Sequence, residues 1–377
     1  MDMPEFLHGG EEIQGEGKEA LLPKRCYVSR ITYYRQFLWF DFSRPVLTLL
    51  RMTRFTFLKS LALSAAAVLS LASVQTASAQ AGRTYTFGMI AKSQGNPFFE
   101  AARAGANDAA KELAAKHGIK IKIDWRTPNE EDAQKQAEYI EQLVLNGADG
   151  IIISCSDAIK LTDAINKAVK NGVPVLTFSG DAPNSQRFVS VGIDDFECGK
   201  ATFEALAKLL NGKGVVAAID GNPNAANLQQ RAAGFRAGAK AYPGIRIVDI
   251  FYHKETPQDA VARIEQVMQA NPDITGWGFL GGWPLFTDNA LKWPAGTVKC
   301  VSVDALPQQL GYVRSGHVQL LLGQDVYNYG WRSVEHLVNK LHLKKNPAKA
   351  IDNTQLMEVK KENVEQIAKQ WEKWLPK

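Results

Sequence analysis

The stretch Lys92-Ser93-Gln94-Gly95-Asn96-Pro97-Phe98-Phe99 decides how the chain is read. Ahead of it, residues 84–91 have the apolar, β-branched and aromatic content of a strand. Behind it, residues 97–117 set Ala, Leu, Lys and Glu at helical spacing. Asn96 before Pro97 marks a helix start, because Asn accepts from orphan backbone N–H groups and Pro at the first helical position sacrifices no bond. A strand feeding a helix through a short turn builds an α/β sheet, and such turns lie at the carboxyl ends of the strands, where ligands bind. Phe98 and Phe99 serve there either as core filler or as a stacking platform. As neighbours on a helix, they are not expected to face one direction.

Downstream the alternation continues: strand 119–126, helix 131–146, strand 150–155, helix 161–171 and strand 174–179. The first of these helices places Ala133, Ala137, Ile140 and Val144 on one face, and the second places Leu161, Ile165, Ala168 and Val169 likewise. The βαβαβαβ order predicts a parallel sheet with right-handed crossovers. Asp181-Ala182-Pro183-Asn184-Ser185 is turn chemistry, followed by a short strand at 188–193. The pattern then restarts with helix 196–210, strand 215–219, helix 226–241, strand 245–252 and helix 257–270. Strand 276–280, helix 285–292, strand 298–303, helix 307–315 and strand 318–322 complete a second unit of similar build without detectable sequence repetition. Beyond it, a helix at 331–343, a strand at 355–359 and a terminal helix are available to cross back between the two units.

The chain has 377 residues, 45% apolar and 22% charged, ordinary for a soluble globular protein. Residues 52–79 read as a cleaved secretory signal peptide: Arg54 and Lys59, an apolar run at 61–72, then Ala77-Ser78-Ala79. The apolar run falls short of the roughly 20 residues a membrane span needs. Residues 1–51 have no convincing periodicity, so Met52 is expected to be the initiator and 1–51 a misassigned extension. Removing 1–79, with nine Lys/Arg and seven Asp/Glu, lowers the formal charge from +5 to +3. The remaining charges are interspersed, which leaves no nucleic-acid footprint. Cys155, Cys198 and Cys300 are odd in number and lack metal spacing, so one disulfide at most is compatible with them and buried packing is the expected role. A freely soluble, monomeric protein of a Gram-negative periplasm fits these features.

Asn96-Pro97-Phe98-Phe99, Asp149-Gly150-Ile151-Ile152-Ile153-Ser154 and Gly172-Val173-Pro174-Val175-Leu176-Thr177 form a series with Val191-Gly192-Ile193-Asp194-Asp195. Gln230-Arg231-Ala232-Ala233-Gly234-Phe235, Val303-Asp304 and Leu322-Gly323-Gln324 extend it. In this order the chain from Thr84 to its end resembles the type I periplasmic sugar-binding proteins, the ribose/glucose/galactose group that serves ABC importers. Lys92-Ser93, Ser156-Asp157, Asp181-Ala182-Pro183 and Gly323-Gln324 with Tyr327 and Gly330 look closer to glucose-binding members. The resemblance implies two doubly wound parallel-sheet α/β lobes joined by a three-stranded hinge, with crossovers near Ile193, Asp325 and 351–354. It places 82–193 plus 325–352 in one lobe and 194–324 plus 353–377 in the other. It also implies a monosaccharide, a hexose by preference over a pentose, cyclitol or other polyol, handed to a membrane permease with its ATPase subunit. A chemoreceptor is compatible as a further partner, and no cofactor is implied.

A neutral sugar needs flat rings against its C–H faces and Asp, Asn, Gln or Arg for its hydroxyls. The candidates in the first unit are Lys92, Asn96, one of Phe98 and Phe99, and Ser154, Asp157 and Asp181. Ribose binders carry an Asp-Arg pair where this chain has Ser179-Gly180, and Asp181 is the candidate replacement. Asn227, Arg231, Trp283, Asp304 and Gln324 are the candidates in the second unit. For several the competing duty is structural: helix caps for Asn96 and Asp157, a helix-anchoring ion pair for Arg231. A sugar-responsive repressor would share the body but needs a basic helix-turn-helix before the first strand. A secreted enzyme would need a motif, and no G-x-S-x-G, H-E-x-x-H or metal cluster occurs.

Overall fold

The computed structural model describes residues 82–375, so the expected signal peptide and the expected 1–51 extension lie outside the described residues. The first unit contains β1 (Thr84–Ile90), α1 (Pro97–His117), β2 (Lys120–Trp125), α2 (Ala133–Leu145), β3 (Gly150–Ile153), α3 (Ala158–Lys170), β4 (Val175–Phe178) and β5 (Ser190–Gly192). The second contains α4 (Asp195–Leu209), β6 (Gly214–Asp220), α5 (Ala226–Ala239), β7 (Ile245–Tyr252), α6 (Pro257–Ala270), β8 (Gly276–Phe279), β9 (Lys299–Val303), α7 (Pro307–Ser315) and β10 (Leu320–Gly323). Then come α8 (Val326–Leu341), β11 (Ile351–Asn353), β12 (Met357–Val359) and α9 (Val364–Trp374).

Two six-stranded sheets result, ordered β11-β5-β4-β3-β1-β2 and β12-β10-β9-β8-β6-β7. The orders match strand for strand, so the second unit repeats the topology of the first. Each pairing is parallel except β10 with β12, where the last edge strand runs antiparallel. β3, with its Ile151, Ile152 and Ile153 fully buried, shows why the central strands are continuous apolar runs: helices cover both faces. The chain leaves the first sheet after β5, returns after β10 to lay α8 along α1, and leaves again between β11 and β12. Three connections therefore join the lobes.

Two elements differ from expectation. The helix expected at 285–292 is a single 3₁₀ turn, Trp283–Phe286, because Thr287 is extended (φ −124°, ψ 151°) and Asn289 then takes a left-handed backbone (φ 58°), neither of which an α-helix can continue through. The helix expected from residue 331 begins at Val326, directly after the crossover. Asn96 accepts from the Phe98 N–H and Pro97 occupies the first helical position, so the opening motif caps α1. Cys155, Cys198 and Cys300 are buried and unpaired, and burial pushes each thiol's pKa up, that of Cys198 to about 12. No helix among the described residues is long and apolar enough to cross a membrane.

Candidate functional site

The carboxyl ends of both sheets face each other across one cleft, the position at which open α/β sheets bind ligands. Lys92, Asn96, Phe98, Phe99 and Ser179 line it from the first lobe; Asn227, Arg231, Glu255, Trp283, Asp304 and Gln324 line it from the second, with Phe286 and Leu306. Both phenylalanine rings border it, contrary to the expectation that one would turn into its own lobe. They lie on the first turn of α1, where the cavity wraps the helix end and side chains about 100° apart both reach it. The rings meet edge to face (5.2 Å between centroids), Phe98 backed by Tyr329 and Phe99 by Phe178.

Trp283 opposes them. Its ring folds back over Gly281, where a Cβ would come within 1.9 Å of the indole, so only glycine fits there. Behind Trp283, the ring of His253 packs edge-on at 5.3 Å. Burial lowers the pKa of His253 to about 4, so it is neutral and acts as an aromatic support.

The polar groups converge on the same space. Asp304 is buried; its Oδ1 accepts from Gln324 Nε2 (2.6 Å) and its Oδ2 from the Gly282 N–H (3.1 Å). Burial raises its pKa, against the pull of Arg231 and of these two hydrogen bonds. Arg231, 3% exposed, donates from Nε to Asp195 (2.8 Å) and from Nη1 to the Leu280 carbonyl (2.9 Å). It anchors α4 to α5, the structural duty weighed for it, and also lines the cleft. Burial opposes its charge, but Asp195 outweighs this and holds the guanidinium pKa above its usual value. That helix pair is close because Gly234 meets the Phe196 carbonyl where a Cβ would stand 1.9 Å away. Asn227, one turn before Arg231, is buried with Oδ1 lacking a hydrogen-bond partner. A buried acceptor left open costs about 1–3 kcal/mol, so Asn227 is set up for an external donor.

Lys92 follows a strand end yet is buried. It is 4% exposed, with Nζ 3.3 Å from Glu131 and 3.7 Å from Glu255 of the other lobe. Burial lowers its pKa, but the two carboxylates more than reverse this. Asn222 Nδ2 donates to the Ser156 carbonyl (3.3 Å), a second contact between lobes. Glu255 and Ser179 were missed because each follows a strand or turn without a motif. Their signal is backbone strain: Ser179, Glu255 and Asp304 all have positive φ (57°, 41° and 71°), and such conformations in non-glycine residues concentrate at functional sites.

Three sequence candidates stand outside the lining. Ser154 Oγ accepts from the Gly180 N–H (3.3 Å) in the sheet interior. Asp157 caps α3 through the Ile159 and Lys160 N–H groups, both at 3.0 Å. Asp181 holds Arg187 with both oxygens at 2.6 Å and accepts from Thr177. Their carboxylate and hydroxyl groups are consumed locally. A roomier hollow beside α4, β10 and β12 is bordered by Glu204, Lys208, Lys360, Lys361 and apolar side chains. It brings no buried charged group together, so the interlobe cleft is the better candidate site. Among the described residues no cluster of three metal-ligating side chains exists.

Two lobes of repeated topology thus enclose a cleft walled by aromatic rings and buried polar side chains. The chain belongs to the periplasmic binding protein domain family, whose model matches residues 87–345. It is 27% identical over 199 residues to the ribose import binding protein of Bacillus subtilis, covering 51% of this chain and 60% of that one. It is 27% identical over 189 residues to the D-apiose import binding protein of Actinobacillus succinogenes, covering 50% and 59%. The chain therefore spans about three fifths of the length of the curated relatives it matches. An ABC transporter solute-binding protein of Burkholderia graminis, solved in complex with D-arabinose, superposes with a TM-score of 0.67 at 27% identity, covering 75% of this chain and 97% of that one. The relatives are named as binding proteins and not as enzymes.

Proposed function

We propose that the protein is the periplasmic substrate-binding component of an ABC importer, and that it captures a small neutral sugar or polyol in the interlobe cleft. The observation that carries this is the opposition of Phe98, Phe99 and Trp283 around buried Arg231, Asp304, Gln324 and Asn227, with the Asn227 acceptor unfilled. Rings suit the C–H faces of a sugar, and the buried Asp304 carboxyl and Arg231 guanidinium suit its hydroxyls. The ligand touches both lobes, binds the closed form better and draws the ensemble there. Periplasmic binding proteins as a class close by a hinge around their ligands, and this step of the mechanism is taken from the class. The closed form is the shape a permease with its ATPase subunit would receive.

For ligand size, the hexose preference suggested by the glucose-like details is not carried by the two import binding proteins compared above, whose names specify ribose and apiose. A pentose or pentose-sized polyol is the better reading. The test is a thermal-shift panel of D-ribose, D-arabinose, D-xylose, xylitol, D-glucose and D-galactose, with calorimetry on the hits. A pentose or xylitol should raise Tm most. A hexose raising it most would restore the hexose preference, and no shift with any compound would remove sugar binding.

A further inference from the structure

Two carboxylates share one ammonium at the seam between the lobes. Lys92 and Glu131 belong to the first lobe, on the loop after β1 and the loop before α2. Glu255 belongs to the second, on the turn before α6, where its Oε1 also accepts from the Asn222 N–H at 3.1 Å. Lys92, Glu131 and Glu255 are 5%, 16% and 11% exposed in their side chains, so water screens the cluster little. Arg231 on α5 acts on Lys92 from farther off, as does Asp220 at the end of β6. Lys92 can neutralise one carboxylate, and the second is a buried excess charge, which is costly in such surroundings.

We propose that Glu255 is a positioning residue that couples ligand capture to the uptake of one proton: closure brings it beside the existing Lys92–Glu131 pair, and in the completed cluster Glu255 holds a proton. This rests on the closure described under the proposed function. In the open form Glu255 faces water and Lys92 keeps Glu131 alone. Closure buries Glu255, and burial raises its carboxyl from the usual value near 4.5 to about 7 despite Lys92. The closed form keeps the proton up to about pH 7 and the open form releases it above about 4.5, so ligand affinity is highest in acid and falls as pH rises through this window. The proton also leaves Lys92 fully charged, held by two partners and directed at the cleft.

The test is calorimetry on the tightest binder from the panel above, at pH 5 to 8.5, with each pH run in two buffers of different ionisation enthalpy. Kd should rise up to about tenfold per pH unit between about pH 5 and 7 and level off above 8, with net proton uptake near pH 6. Glu255→Gln should flatten the profile, and Glu131→Gln should do the same, because either leaves Lys92 with a single carboxylate. Binding by the unaltered protein without proton uptake, or with a slope that survives both substitutions, overturns this proposal alone. Absence of binding by every sugar overturns the proposed function and this inference with it.

Discussion

Asp304→Asn is the substitution from which the site can be read most cleanly. Both carboxylate oxygens are already engaged, Oδ1 by Gln324 and Oδ2 by the Gly282 N–H, and each keeps one lone pair for a ligand hydroxyl. An asparagine turns one of these oxygens into an NH₂ group, which must face either the Gln324 amide donor or the Gly282 N–H. One framework bond is lost, and the hydroxyl contact loses its charged partner. A hydrogen bond to a charged group contributes about 1.5–3 kcal/mol, so Kd should rise roughly ten- to a hundredfold. Asparagine is the proper probe because Asp304 sits at φ 71°, a conformation asparagine tolerates, whereas alanine there would add roughly 1–2 kcal/mol of strain. Calorimetry at about pH 7.5 on the bound sugar measures the effect, with a melting curve to show that the variant is folded. A change of less than about threefold in a folded variant would remove Asp304 from the ligand contacts.

Gly234→Ala inserts a methyl 1.9 Å from the Phe196 carbonyl, so α4 and α5 must separate and carry Arg231 with them. Overpacking of this kind costs about 1–3 kcal/mol, and differential scanning calorimetry should show Tm lowered by roughly 2–10 °C. Asp181→Asn removes the charge that pairs with Arg187, whose side chain is 8% exposed and keeps the Ala350 carbonyl, and should cost about 1–3 kcal/mol in urea unfolding while Kd for sugar stays within about twofold. A large loss of affinity in that variant would return Asp181 to the site. The three buried thiols, with pKa values raised by burial, should not react with a thiol reagent until the protein is unfolded, and oxidising and reducing gels should show one mobility.

Much of the architecture was legible because the signals are local. Asn96-Pro97 caps a helix wherever it occurs in this setting, and the apolar runs of β3 and β4 announce strands buried on both faces. The 3₁₀ turn at Trp283–Phe286 escaped because the break at Thr287–Asn289 is a backbone conformation and leaves no mark in the apolar pattern. The antiparallel β12 escaped because an edge strand of three residues has too little sequence to carry a direction. Within the site, residues at strand ends were found where a carboxylate, amide or ring stood at the expected edge, as with Asp304, Gln324 and Trp283. Asp157, Asp181 and Ser154 stand at comparable edges, but backbone N–H groups and Arg187 engage them instead of the cleft. Only tertiary structure reveals that competition. The burial of Lys92 is nonlocal too, since its partners Glu131 and Glu255 lie 39 and 163 positions along the chain.

The most direct test is the crystal structure of the protein with the tightest-binding sugar of the panel. The sugar is expected between the lobes, its ring against Trp283 or the Phe98–Phe99 pair, and its hydroxyls on Asp304, Arg231 and Asn227, with Lys92 and Glu255 in contact across the seam. A sugar bound in the hollow beside β12, or on one lobe alone with the cleft open, would contradict capture between the lobes.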